Sequence, residues 1–319
     1  MRPSSRESRK ISRRQAIGSI GAGLLGAMIA GCSSGHIPID FGRVEGTVED
    51  PGARAAGAIR LAAAPMLSPG RTSSLYQDLG AYAAAQLGRP VELIQGKTYF
   101  EINELVRSGA VPVAMVCTYP YVLGHQDFGM ELSAAPEING AAEYYSYLVV
   151  PAESAARSLE DLRGASFAFT DPMSNSGRLV PMYQLATRGW TPPTFFSRTI
   201  FTYAHDRSVV AVGDGVVAGA TVDSVVFDYL AAREPALTAR VRVIERWGPY
   251  GGNPIVVDPR LQPELKADLQ SVFIDMSKQP EGVAILKRLG VDRYIVPDDR
   301  SYNSVREMSQ YLRSHGLVP

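Results

Sequence analysis

Cysteine is scarce. The two in 319 residues, Cys32 and Cys117, cannot build a disulfide framework, and only four histidines accompany them. Those six residues are too scattered to show a metal-ligand spacing, so no metal site is expected. No Walker or dinucleotide glycine pattern is present, and no cofactor is expected. The G-x-S-x-G elbow of the α/β hydrolases is missing as well. Surplus charge is also missing: of 32 basic and 32 acidic residues, six basic ones and Glu7 precede Ser33, leaving 26 and 31 after it. Binding to a phosphate backbone needs clustered positive charge, so a nucleic-acid partner is not expected.

What the chain does have is the composition of an ordinary globular protein, 45% apolar and 20% charged, long enough for one or two domains. Its N-terminus reads as an address. Arg2, Arg6, Arg9, Lys10, Arg13 and Arg14 precede a small, glycine-rich apolar stretch at 16–31. That stretch is short for a membrane span, which needs about 20 apolar residues, and suits a secretory signal over residues 1–31. Ile29-Ala30-Gly31-Cys32 resembles a bacterial lipobox, so Cys32 is the expected lipidation site, anchoring the chain to the bilayer. Ser12-Arg13-Arg14 resembles a twin-arginine signal, but Ala16 stands where that pattern prefers a large apolar residue, and either export route fits. Residues 32–57 lack periodicity and read as a flexible tether.

From 58 on, strand and helix alternate. AIRLAAAP (58–65), PVELIQG (90–96) and VPVAMVCT (111–118) read as strands, with helices at 72–87, 99–109 and 119–126. ELSAAPEI (131–138) and YSYLVVP (145–151) are further strands, and Ser158 to Asp161 resembles a capping box. A second alternating run follows: strands at 166–172, 199–204, 216–222 and 240–247, with helices at 176–189, 205–215 and 224–234. After a strand at 253–259 the chain is nearly all helical. Pro181 sits awkwardly in its helix, requiring either a kink or a start after Gly177. Such alternation implies an α/β fold with helices on the faces of its sheets. Residues 108–118 also align without gaps with 214–224, matching Gly109 to Gly215, Val116 to Val222 and Thr118 to Ser224. A true repeat makes two similar lobes whose strand ends face one crevice; a chance match of Val, Ala and Gly is the other reading.

The chemistry gathers at strand-to-helix turns. In FAFTDPMSNSGRLVP (167–181) a buried strand stops at Asp171-Pro172, and Ser174, Asn175 and Ser176 open a helix. Side-chain donors beside unpaired helix N–H groups suit an anion, although an ordinary N-cap uses the same residues. His205 and Asp223 stand at similar turns, each equally able to be a cap. Tyr99 and Tyr144 flank strands of the first half, where phenols at a crevice can donate while their rings cover a ligand. Ser176, His205 and Asp206 or Asp223 also supply the residue types of a nucleophilic triad, but without an elbow a serine in S-N-S-G is better placed to donate than to attack.

Taken together, the segments SPGRTSSLYQDLG…VRSG, YYSYLVVP, SLEDLRG, FAFTDPMSNSGRLVP, HDRSVVAV, VDS and NPIVVDP resemble the phosphate, phosphite and phosphonate binding proteins of ABC importers. The likeness runs from about Ala58 to Arg293, and its most specific motif is D-P-x-S-x-S-G-x-L-V-P at 171–181. It implies a periplasmic binding protein of the two-lobed type II fold, each lobe a mixed, mostly parallel sheet flanked by helices, with the ligand in the cleft between them. The lobes are expected at 58–149 and 251–319 for the first and 150–250 for the second, with hinges near Val149–Pro151 and Trp247–Pro254. The resemblance further implies a monomer with no catalytic residues, delivering a small oxyanion to an ABC permease and its ATPase from the outer side of the cytoplasmic membrane.

Carried over residue by residue, the family's ligand-holding S-T-S triplet falls on Ser174, Asn175 and Ser176, with Asn in place of the middle Thr. Its histidine falls on His205, its tyrosines on Tyr99 and Tyr144, its second-lobe acid on Asp223, and the first lobe's turn on Thr118. Asn253 stands where aminoalkylphosphonate binders carry an acid, which argues against an ammonium-bearing ligand. Arg178 departs from the family's apolar or aromatic residue and either adds charge to the site or faces solvent. A carboxylate at Asp223 repels an anion unless the ligand brings its own O–H, which favours phosphorus oxyanions over sulfate or taurine. A binding protein for another small anion, or a sensor subunit presenting its ligand to a receptor, fits the same sequence; a hydrolase fits less well.

Overall fold

The computed structural model describes residues 57–318. The expected signal segment, Cys32 and nearly all of the tether lie outside these residues. Among the described residues, no helix is long and apolar enough to cross a membrane.

The first run is β1 (Ile59–Ala63), α1 (Pro69–Leu87), β2 (Val91–Gln95), α2 (Tyr99–Arg107), β3 (Val113–Met115), α3 (Thr118–Phe128) and β4 (Glu131–Glu137). The chain then crosses to β5 (Glu143–Pro151) and β6 (Ser166–Phe169), a π-helical turn at Asn175–Leu179, α4 (Val180–Ala186), α5 (Pro192–Phe195) and β7 (Arg198–Phe201). Next come α6 (His205–Gly213), β8 (Gly219–Asp223), α7 (Ser224–Arg233), α8 (Pro235–Thr238) and β9 (Val241–Gly251). It returns through β10 (Ile255–Val257), α9 (Pro263–Ile274), α10 (Pro280–Leu289), β11 (Arg293–Ile295) and α11 (Asn303–Ser314).

Two sheets result, in strand orders β11-β4-β10-β3-β1-β2 and β7-β6-β8-β5-β9. In each, three consecutive strands of a β-α-β-α-β run pair in parallel, β2-β1-β3 and β7-β6-β8. Strands that arrive from a crossover pair antiparallel, as β10 does with β3 and β5 with β8. Parallel strands need both faces covered, and β1 alternates accordingly: Ile59, Leu61 and Ala63 face one core while Ala62 faces another. In β6, Phe167 and Phe169 face the core that runs between the two sheets, where Phe167 stacks on Phe196 at 4.4 Å. These two sheets with their helices are the two lobes.

The crossovers differ from the expectation. All of β5 belongs to the second sheet, with Val149, Val150 and Pro151 paired to β9 at its far end. The first passage between sheets is therefore at 138–142, not at Val149–Pro151; the second, at 252–254, lies within the expected stretch. The strand pattern of 145–151 was legible, but the lobe that pairs with it was not. The short α5, α8 and β11 carry too little periodicity to be read locally. The expected capping box at Ser158 is a single 3₁₀ turn at Glu160–Leu162, with the Asp161 carboxylate accepting from the N–H groups of Arg157 and Ser158.

Pro181 is resolved by the π turn. The Leu179 and Val180 N–H groups donate five residues back, to Ser174 and Asn175. Pro181 then falls in the first turn of α4. The carbonyl that Pro181 cannot serve, Gly177 O, accepts instead from Thr170 N at 3.1 Å. Irregular turns of this kind collect at functional sites, and this one opens the loop singled out above.

Candidate functional site

Tyr99, Thr118, Tyr144, Ser174, Asn175, Ser176, His205 and Asp223 are all buried, at 1% exposure or less, and Asn253 is partly buried beside them. The fold gathers them by setting helix starts at the cleft. Tyr99 opens α2, Thr118 opens α3, His205 opens α6, and Asp223 caps α7. Tyr144 enters from β5, whose Ser146 Oγ donates to Ser176 O at 2.8 Å and pins the loop.

Four of these side chains carry buried polar atoms with no hydrogen-bond partner among the described residues: Tyr99 Oη, Ser176 Oγ, His205 Nε2 and the acceptor Asn175 Oδ1. The histidine's tautomer follows from its neighbours. Its Nδ1 accepts from the Asp223 backbone N–H at 3.1 Å, so the hydrogen resides on Nε2. Burial lowers its pKa to about 3, and the ring is neutral at ordinary pH. Burial, with the nearby Cys117, Asp171 and Asp223, raises the Tyr99 phenol well above its usual range, so it remains an O–H donor. Tyr144 accepts from Asn175 Nδ2 at 2.9 Å and retains its own hydrogen. Ser174 Oγ accepts from Gly177 N at 3.0 Å as an N-cap, and its hydrogen also remains free to donate.

Against these donors stand two buried acceptors, the unpaired amide oxygen of Asn175 and the carboxylate of Asp223. Asp223 Oδ1 takes the N–H groups of Val225 and Val226, and Oδ2 takes Asn253 Nδ2 at 2.8 Å. Burial raises its pKa to about 6, and those hydrogen bonds hold it from rising further. A carboxylate has about four lone-pair sites, so one on Oδ2 is left for an incoming O–H.

Two expected residues are occupied by the protein itself. Thr118 Oγ1 donates to Gly251 O at 2.9 Å, and Asn253 Oδ1 lies 3.3 Å from both Thr118 N and Oγ1. Asn253 thus bridges the start of α3 and Asp223, and both residues act as positioners in this geometry. Arg178 braces the loop through Pro172 O at 2.7 Å and leans over Phe201. The triad is not assembled, because neither Asp206 nor Asp223 bonds the His205 ring through its carboxylate. Buried Cys117, with its pKa pushed up to about 12, is a poor nucleophile. Among the described residues no three His, Cys, Asp or Glu side chains group as a metal site.

Sequence reasoning missed what joins the lobes. Asp206, 2% exposed, accepts from Ser68 N at 2.8 Å and Ser68 Oγ at 2.6 Å, with Arg71 Nε at 3.0 Å. Asp171 Oδ2 accepts from Tyr99 N at 3.3 Å, and His205 N donates to Met66 O at 3.0 Å. Two second-lobe carboxylates therefore sit at the N-termini of first-lobe helices, α1 and α2, where unpaired N–H groups favour negative charge. The only local signal was an acid at a strand end and another at a helix start, which an ordinary cap also provides.

Known proteins share the family's sequence pattern and the fold. A phosphonates-binding periplasmic protein of Escherichia coli is 28% identical over 183 residues, 56% of this chain and 54% of that protein; the match thus spans about half the length of this relative. A binding protein component of an ABC phosphonate transporter from Pseudomonas aeruginosa has a similar fold, with a TM-score of 0.76 at 24% identity, covering 81% of this chain and 87% of that one. PhnD1 from Prochlorococcus marinus, solved in complex with methylphosphonate, superposes with a TM-score of 0.73 at 20% identity, covering 81% and 98%. The profile of the family described as "ABC transporter, phosphonate, periplasmic substrate-binding protein" matches residues 61–302. That match covers most of the chain, which therefore belongs to the phosphonate periplasmic substrate-binding proteins of ABC transporters.

Proposed function

We propose that the chain captures a phosphorus oxyanion, a phosphonate, phosphite or phosphate, between its lobes and delivers it to an ABC permease without chemical change. The observation that carries this is the buried set of unpaired donors, Tyr99 Oη, Ser176 Oγ and His205 Nε2, beside two acceptors, the Asn175 amide oxygen and the Asp223 carboxylate. Leaving a buried polar group unpaired costs on the order of 1–3 kcal/mol, so three together favour a state in which a ligand pairs them. An oxyanion does so, and its own O–H meets the remaining lone pair of Asp223. Sulfate and sulfonates lack that proton near neutral pH and leave the carboxylate facing a bare anion. Capture and release would need the lobes to part at 138–142 and 252–254 by hinge motion.

A thermal-shift screen with phosphate, phosphite, methylphosphonate, sulfate and taurine tests the reading, because a ligand that binds only the folded state raises its apparent stability. One or more phosphorus oxyanions should raise Tm, and sulfate and taurine should not; the reverse pattern would sink the proposal. Export and acylation at Cys32 belong to the same reading. Cys32→Ser should move the protein from the membrane fraction to the soluble one.

A further inference from the structure

Beside the polar cluster lies a cavity of about 130 Å³ between the lobes. Leu67, Tyr76, Ile138 and Leu289 wall it from the first lobe, and Val225 and Tyr229 from α7 of the second. It shares Tyr144 and Asn253 with the cluster and is lined by Val225 and Val226, whose N–H groups bond Asp223, so it borders the cluster on that side. Its walls are mostly carbon, and the one charged residue on its lining, Glu143, is exposed to solvent. Cavities of about 150 Å³ with apolar walls hold benzene.

We propose that this cavity receives the organic substituent of the bound oxyanion, so that the chain selects phosphonates carrying an uncharged, apolar group of up to about benzene size. The inference rests on the reading that the polar cluster holds a phosphorus oxyanion. The geometry supports it in two ways. The phosphorus oxygens are held by fixed groups at helix starts, which leaves the substituent to extend past Tyr144 and Asn253 along the cleft. The amide of Asn253 is committed to Asp223 and Thr118, so it offers an ammonium no charge to pair with. Bringing an ammonium into these walls strips its water without a buried counter-charge, whereas a methylene gains by leaving water.

Calorimetry on the soluble protein with methyl-, propyl-, butyl- and phenylphosphonate and with 2-aminoethylphosphonate tests this. Each methylene after the first should tighten Kd by about fourfold. Phenylphosphonate should bind more tightly than methylphosphonate, and 2-aminoethylphosphonate more weakly than propylphosphonate, its close match in size. Leu289→Trp narrows the cavity from a residue outside the polar cluster and should flatten this ladder while methylphosphonate binds as before; Ile138→Phe is a second variant with the same expected effect. Methylphosphonate binding as tightly as the longer ligands, or 2-aminoethylphosphonate binding more tightly than propylphosphonate, would overturn the inference and leave the proposed function standing. Binding of phosphite or phosphate but of none of the phosphonates would overturn the inference alone, and binding of no phosphorus oxyanion at all would overturn the proposed function itself.

Discussion

Asp223 is held as a charge where charge is costly, and this fixes how stability should vary with pH. Its folded pKa of about 6 lies above the unfolded value of about 3.9, so between the two the native state holds the extra proton. Native stability is therefore lost as pH rises from about 4 to about 6, by roughly 3 kcal/mol in all. His205 works in the opposite direction: with a folded pKa of about 3, below its unfolded value of about 6.5, it lowers stability as pH falls through that window. The histidine is common to wild type and Asp223→Asn, so it cancels in their difference. Urea unfolding without ligand should show wild type losing about 3 kcal/mol relative to Asp223→Asn between pH 4 and 7; a constant difference would show that the buried carboxylate carries no such penalty. Gly177 gives a second test at this scale. A Cβ there would lie 2.4 Å from Thr170 Oγ1 and 2.5 Å from Thr170 Cβ, and Thr170 Oγ1 is also 3.2 Å from His205 Nδ1. Gly177→Ala should cost about 1–3 kcal/mol of stability and weaken oxyanion binding through the displaced histidine, read by denaturant midpoint and calorimetry.

At the level of elements, the cleft is closed by helix ends that borrow their caps from the opposite lobe. Ser68, the N-cap of α1, makes no side-chain cap bond of its own and is met by Asp206 instead. Asp206→Ala should loosen closure more than it loosens either lobe, because the freed helix start can reach water once the cleft opens. Truncating one partner of a buried, hydrogen-bonded charge pair costs about 2–5 kcal/mol, so Kd for the oxyanion should rise on the order of 10²-fold. An unchanged Kd would show that these contacts do not hold the closed form. The alternation of strands and helices was legible because the inner strands β1, β3, β6, β8 and β10 are buried on both faces and most helices end on glycine or begin on a capping residue. The loop at 174–176 was legible for the same reason: donors at a strand-to-helix turn have few uses. The occupation of Thr118 by Gly251 and Asn253, 133 and 135 positions away, was not, since local pattern does not record which distant carbonyl a hydroxyl meets. The π turn was equally hidden, because it depends on Thr170 taking over the carbonyl that Pro181 leaves.

Across the whole molecule the faint repeat extends well beyond 108–118. The helical segments that begin at Pro69, Tyr99 and Thr118 in the first lobe correspond to those that begin at Asn175, His205 and Ser224 in the second, each pair 106 positions apart. With strand orders β2-β1-β3 and β7-β6-β8, this makes two matching halves that present the same three helix starts to one cleft. Closure should be visible as slowed amide exchange where the N–H groups of Ser68, Tyr99 and His205 bond across the lobes. Adding methylphosphonate should slow exchange in peptides covering 66–71, 97–101 and 204–208 and leave α9 unchanged; uniform slowing would point to general stabilisation instead. The borrowed caps also set a charge balance. Each helix start carries roughly half a positive charge, and four of the six already have a carboxylate: Asp206 lies in the first turn of α6 and meets α1, Asp171 meets α2, and Asp223 caps α7. The two left, at α3 and the π turn before α4, sum to about one positive charge, enough to balance a singly ionised phosphonate, the form that still carries an O–H.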